Sequence, residues 1–399
     1  MKGFYATVFA LILTQIIITS CEKVSPQSPQ EDEILDGPVE GLSYSQLSQF
    51  IKGDVAFNDE IFTTTNGLGP LFVATSCGSC HAGDGKGHPF STLIRFGQSD
   101  STGNQYRHLG GPQLQNRAIP GFTPEELPTG ATHAAFTPPA NTGLGFFELV
   151  SDADIITMAD PNDVNGDGIS GVPNWNTIPW YVTPSSNAIS INGKYITRFG
   201  RKGAVYNLLQ QTVNAYNQDM GITSVFEPVD TYSGSEIDPE VNMNTVNDVV
   251  FYLQTLKAPI QRNTSDPIVK SGNQIFKNIG CENCHKETLK TGTSTIAALS
   301  NKEFHPYTDL LLHDMNYSFD EGYTEGSALT SEWRTAPLWG LGLSKNSQGG
   351  NYFLMHDGRA HSIEEAILLH NGEAANSRLN YHSLSEQDKA SLLRFLESL

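Results

Sequence analysis

Cys77-Gly78-Ser79-Cys80-His81 and Cys281-Glu282-Asn283-Cys284-His285 are the two stretches on which the reading of this chain turns. In each, two thiols three residues apart are followed at once by an imidazole. This is the spacing with which a chain attaches a haem. The two sulfurs add to the two vinyl groups of one porphyrin, and the adjacent histidine is held beneath the iron as its proximal ligand. A single frame of this kind could be half of a zinc site or a redox dithiol. Two copies, both ending in histidine, account for four of the five cysteines and leave only Cys21. A thioredoxin-like exchange site would also need a βαβ pattern, which is absent. The expected cofactors are two covalently bound haem c groups, on Cys77, Cys80 and His81 and on Cys281, Cys284 and His285.

Outward from each motif the same landmarks recur in the same order. Phe50-Ile-Lys-Gly53-Asp-Val-Ala-Phe57 precedes the first, and Val269-Lys-Ser-Gly272-Asn-Gln-Ile-Phe276 precedes the second. Thr137-Pro-Pro-Ala-Asn-Thr-Gly-Leu-Gly145 is echoed by Thr335-Ala-Pro-Leu-Trp-Gly-Leu-Gly342. Each half closes on apolar residues spaced three and four apart, at 249–256 and 392–399, the mark of a helix with one buried face. The spacing predicts a mainly α, loop-rich protein of two cytochrome c-like domains related by duplication. Residues 45–258 form the first, with insertions, and 259–399 the second, joined near Lys257-Ala-Pro259 and Asn263-Thr-Ser-Asp-Pro267.

The ends and the composition add a location. Lys2, a short apolar run from Phe4 to Ile18 and the small residues before Cys21 describe a secretory signal over 1–20. Ile18-Thr-Ser-Cys21 resembles a bacterial lipobox, so Cys21 is expected to carry a lipid. Residues 21–44, polar and Pro-punctuated, then form a tether. The chain is expected to be exported to the periplasmic side or cell envelope and held to a membrane by that lipid. With 399 residues and a net charge of −19, it lacks the basic face that nucleic acid requires. The 37 Gly and 21 Pro fit long irregular stretches between helices.

With both motifs and their surroundings in view, the mature chain resembles the bacterial di-haem oxidoreductase family, whose members are described as peroxidases and sometimes as thiol oxidoreductases. The resemblance rests on long segments. They include Gly111-Pro-Gln-Leu-Gln-Asn-Arg-Ala-Ile-Pro-Gly121, Asp160-Pro-Asn-Asp-Val-Asn-Gly-Asp-Gly-Ile-Ser-Gly171, Gln218-Asp-Met-Gly-Ile-Thr223 and Glu332-Trp-Arg-Thr-Ala-Pro-Leu-Trp-Gly340. Pro306-Tyr-Thr-Asp-Leu-Leu-Leu-His-Asp-Met315 and His356-Asp-Gly-Arg-Ala360 extend it. The thiol label finds no support, since every cysteine has another use. More distantly, the layout is similar to the di-haem cytochrome c peroxidases and their MauG-like relatives, in which one haem accepts electrons and the other meets peroxide.

The sixth position on each iron separates electron transfer from substrate chemistry. For the second iron the pool is Met315, His313, Met355, His356, His361 and His370. Ser362-Ile-Glu-Glu365 is a capping box, opening a helix that ends near His370 at Asn371-Gly372. In the peroxidase group a His-x-Gly loop leads into a similar helix, whose end supplies a distal Met or Tyr. Counting from His356 places His370 there, with Met315 as the alternative. His313 and His356 are then expected at the haem edge or its propionates. For the first iron the same resemblance points to Gln211 and to Asp219, followed by Met220-Gly221. Asp stands where the group has Glu, and Arg201 where close relatives have Trp after Phe199-Gly200. The plain alternative is that Gln211 and Asp219 cap or solvate a helix and Met220 is core. His88, His108 and His133 stay unassigned.

Asp163-Val-Asn165-Gly-Asp167-Gly168-Ile169 matches the first half of a calcium loop. Oxygen side chains stand at positions one, three and five, and the Ile169 carbonyl at seven. Position twelve is Asn174 rather than Glu, so Asp160 or Asp154 would complete a Ca²⁺ site. An ion-free Asx-rich turn is the alternative. The whole reads as a haem enzyme reducing a small oxidant such as peroxide, with electrons from a small redox protein or a quinol-linked donor. Two alternatives are a carrier with both haems six-coordinate and a maturation or metal-redox factor.

Overall fold

The four longest helices among the described residues form two crossings built alike. Helix α1 (Tyr44–Asn58) packs on α2 (Met243–Thr255), and α3 (Pro267–Asn278) packs on α4 (Glu386–Ser398). Each helix has a local start signal. Ser43, Asn242, Asp266 and Ser385 accept hydrogen bonds from the first-turn amides of Gln46, Thr245, Ile268 and Asp388. The crossings depend on Gly53 and Gly272. A Cβ on Gly53 would overlap the Asp248 carbonyl, and one on Gly272 the Ser391 carbonyl, so only glycine lets the backbones approach this closely. Gly145 and Gly342 repeat the relation one level down, against the carbonyls of Gln254 and Glu397.

The structure is a computed structural model that describes residues 29–399. Cys21, the signal segment and the first eight residues of the 21–44 tether lie outside the described residues. Glu31–Glu33 form a single 3₁₀ turn capped by Gln30. From Leu35 to Leu399 the chain packs as one unit. No described helix is long and apolar enough to cross a membrane.

About 33% of the chain is helix and 11% strand, so the fold is mixed rather than mainly α. Among the described residues the strands are two to four residues long and pair antiparallel in five small sheets. They arise in the loops between helices, too short for the alternation that betrays a strand in sequence. Two of them place site residues. The 93–96/133–136 pair carries Arg95 and Phe136, and the 312–314/332–334 pair carries His313, Trp333 and Arg334. One core gathers Phe50, Phe57, Phe147, Tyr252 and Trp339, a second Phe276, Tyr307, Tyr381 and Phe395. A third, of Phe136, Phe319, Tyr323 and Trp333, fills the space under the sheets.

Candidate functional site

Both Cys-x-x-Cys-His motifs open onto one cavity of about 460 Å³. In each motif the chain makes a helical turn, with the His81 amide donating to the Cys77 carbonyl at 3.1 Å and the His285 amide to the Cys281 carbonyl at 3.0 Å. The turn brings thiols three residues apart to one wall and aims the histidine into the cavity. Phe57 and Phe276, which follow the two crossing glycines by one helical turn, back the imidazoles of His81 and His285 at ring-centre distances of 6.0 and 6.4 Å. Burial pushes the Cys77 and Cys281 thiols up to about 12 and Cys80 to about 11.

At the second motif two imidazoles face one another. The ring centres of His285 and His370 are 6.4 Å apart. His285 Nδ1 donates to the Tyr307 carbonyl at 3.0 Å and His370 Nδ1 to the Ala366 carbonyl at 2.6 Å, which leaves both Nε2 atoms unprotonated. Burial holds His285 down at about 4 and lowers His370 as well, so both rings are neutral. A metal–imidazole bond of about 2 Å on each side, with roughly 1 Å from each nitrogen to its ring centre, needs a separation of about 6 Å. The residues present therefore fit a metal between these rings. The helix expected after Ser362 runs from Ile363 to Leu369 with His370 at its C-terminal cap. Glu365 spends its carboxylate on the His361 amide rather than on the cap. Met315 lies in the cavity wall and packs in the third core.

At the first motif no second imidazole stacks near His81 among the described residues. Burial holds its ring at about 4, only partly opposed by a hydrogen bond to the Pro139 carbonyl. Gln211, Asp219 and Met220 line the cavity here. Gln211 sits on the Leu208–Asn214 helix, which widens into a π-turn over Ala215–Asp219. Such turns recur at functional sites because they shift a side chain out of helical register. Burial raises Asp219 to about 7, against a lowering by Arg95, and its charge in turn raises both Cys77 and Cys80. Asp219 is thus a half-buried carboxyl near the Cys77 and Cys80 thiols. Met220, 2% exposed, belongs to the first core as well as to the cavity wall.

His313 and His356, expected near a haem edge, each meet carboxylates in the cavity wall, and His313 Nδ1 also lies 3.6 Å from Cys284 Sγ. His313 is clamped by Asp309 at 2.9 Å and Glu373 at 2.6 Å. His356 meets Glu321 at 2.8 Å and stacks on Trp333 at 3.6 Å. Both still line the cavity, whereas His88, His108 and His133 do not. Residues that sequence reasoning missed are basic. Lys86, Arg95, Arg334 and Arg378 line the cavity together with Arg201, and Arg95 pairs with Glu325 at 2.7 Å.

The expected calcium loop forms a tight exposed turn. Asp163 accepts from the Gly168 amide at 3.1 Å, and Asn165 accepts from the Asp167 amide at 2.9 Å. Ile169 donates its amide to Asp167 and turns its side chain to the cavity. Asn174, the twelfth position, is buried and donates to the carbonyls of Lys202 and Glu325, so it does not close the loop. Asp154 is likewise taken by Ser151, which leaves Asp160 as the neighbouring carboxylate.

A family described as "di-haem oxidoreductase, putative peroxidase" matches residues 134–399. No curated protein matches the chain. Among solved structures, hydrazine synthase from Kuenenia stuttgartiensis is similar at 13% identity over 94% of each chain, with a TM-score of 0.40. The family match spans the second Cys-x-x-Cys-His motif, His370, Gln211 and Asp219, the residues that gather around the cavity, and this chain belongs to the di-haem oxidoreductase family.

Proposed function

We propose that this protein reduces peroxide at the His81 side of the cavity with electrons received at the His285 side, each side holding a covalently attached haem c. One observation carries the reading: the two sides are unequal. His285 faces a second imidazole across 6.4 Å, a saturated arrangement suited to electron transfer. His81 instead shares its part of the cavity with a carboxyl and an amide, which suits proton chemistry. The matched helix crossings support two domains, 45–258 and 259–399, related by duplication.

Reduction of one peroxide to two waters breaks the O–O bond and consumes two electrons and two protons. A haem at His81 supplies an iron position for the oxidant and the route by which electrons reach it. Asp219 takes the proton from the near oxygen and returns it to the leaving one, and Gln211 orients the substrate with its amide. A shuttle works best with a pKa near the working pH, and burial sets Asp219 at about 7. The sign follows. The carboxylate that must accept the proton is lost as pH falls below about 7, so turnover falls on that acid side.

Asp219→Asn is expected to lower peroxide turnover by about two to four powers of ten, with both haems still attached. Wild-type protein with two low-spin haems in every redox state and no peroxide turnover would replace the enzyme with an electron carrier. The donor on this reading is a small redox protein or a quinol-linked one. The short apolar N-terminus and Cys21 support export and lipid anchoring on the periplasmic side. The 160–169 turn is proposed to bind Ca²⁺ through Asp163, Asn165, Asp167 and the Ile169 carbonyl.

A further inference from the structure

The protein carries a net charge of −19, yet its central cavity is cationic. Lys86, Arg95, Arg198, Arg201, Arg334 and Arg378 line it against only two acids, Asp219 and Glu325. Arg95 is neutralised by Glu325 and Arg198 by Asp152. The other four form no ion pair among the described residues. Nearby carboxylates are already engaged: Asp357, which faces Lys86 and Arg201, pairs with Arg359 at 2.6 Å, and Asp309, which faces Arg334, holds His313.

Arg201 and Arg334 are neighbours. The Arg334 amide donates to the Arg201 carbonyl at 3.2 Å, and Arg334 Nε donates to the Gly200 carbonyl at 3.0 Å. Arg201 Nε donates to the Thr137 carbonyl at 2.9 Å, and Arg334 reaches the Thr335 carbonyl at 3.2 Å. Thr137 and Thr335 are equivalent positions of the internal repeat. Two like charges thus meet where the two halves join, each bonded only to neutral carbonyls. Burial, and for Arg201 the charge of Arg334, pulls them down to about 9 and about 10. Charges withdrawn from water in this way need anionic partners.

We infer that Arg201 and Arg334 form a shared carboxylate seat between the two haem sites, taking a propionate from each haem, with Lys86 serving the His81 haem alone and Arg378 the His285 haem alone. This rests on the proposed haem occupancy of both sites. A cation beside a propionate disfavours the oxidised, more positive iron, so it raises that haem's reduction potential. Removing a shared cation lowers both potentials.

The test is a spectroelectrochemical titration of the mature holoprotein, with haem counted separately by pyridine haemochrome. Arg201→Gln is expected to move both potentials down, and Arg201→Lys to restore them in large part. Lys86→Met should move the first haem only. Two attached haems with both potentials unchanged, or only one changed, in Arg201→Gln overturn the shared seat. A missing haem in the wild type instead overturns the occupancy on which it stands. If Arg201→Gln fails to mature, Arg334→Gln carries the same expectation and the same contrary result.

Discussion

His370 is the residue whose role can be argued most closely from its own bonds. It caps a seven-residue helix, its Nδ1 is fixed by the Ala366 carbonyl, and its ring opposes His285 at a spacing that admits one metal ion. Met315, the competing residue, faces the same cavity but packs against an aromatic core. His370→Ala should convert the low-spin signal of the second haem to high-spin or water-bound in electron paramagnetic resonance. His370→Met should raise that haem's potential, because a thioether favours reduced iron relative to imidazole. An unchanged spectrum in His370→Ala transfers the ligand role to Met315. The position could be counted from His356, but the backing carbonyl could not, since it depends on how the preceding helix ends.

At the scale of elements, helices were legible and strands were not. The Gly-x-x-x-Phe stretches and the 249–256 and 392–399 runs became four capped helices, because a 3.6-residue period survives in sequence however the helix packs. The strand pair that delivers Arg95 is four residues a side and held by contacts from distant loops, so nothing local announces it. Asn174 shows the same limit. The loop pattern leads to it, but its amide is spent on carbonyls 28 and 151 residues away. The 160–169 turn is nonetheless rich in oxygen ligands. Its far end is tied to the second half, where Ser170 Oγ donates to Glu373 at 2.7 Å and Glu373 clamps His313. Removing calcium should therefore loosen more than a surface turn. Chelation is expected to lower the midpoint of thermal unfolding, with recovery when Ca²⁺ is restored in excess. No shift, and no calcium by elemental analysis, leaves the segment an ion-free turn.

For the whole molecule, charge and cavity oppose one another. An acidic exterior suits solubility and a basic partner, while the interior gathers histidines, thiols and unpaired cations around one space. Cys77, Cys80, His81, Cys281, Cys284 and His285, which line that space, could be picked out in sequence by their repeated spacing. Lys86, Arg334 and Arg378 could not, since a basic residue in a loop looks the same in sequence whether it meets water or a buried carboxylate. On the proposed reading both sets of residues serve two covalently attached haems in this cavity. The direct measurement is a pyridine haemochrome assay on protein matured with a c-type cytochrome assembly system, made after acid extraction of any loose haem. Two haems per chain are expected to remain, falling to one when Cys77 and Cys80 are both replaced by alanine. One haem or none in the wild type, or haem that leaves with the acid, would contradict the account.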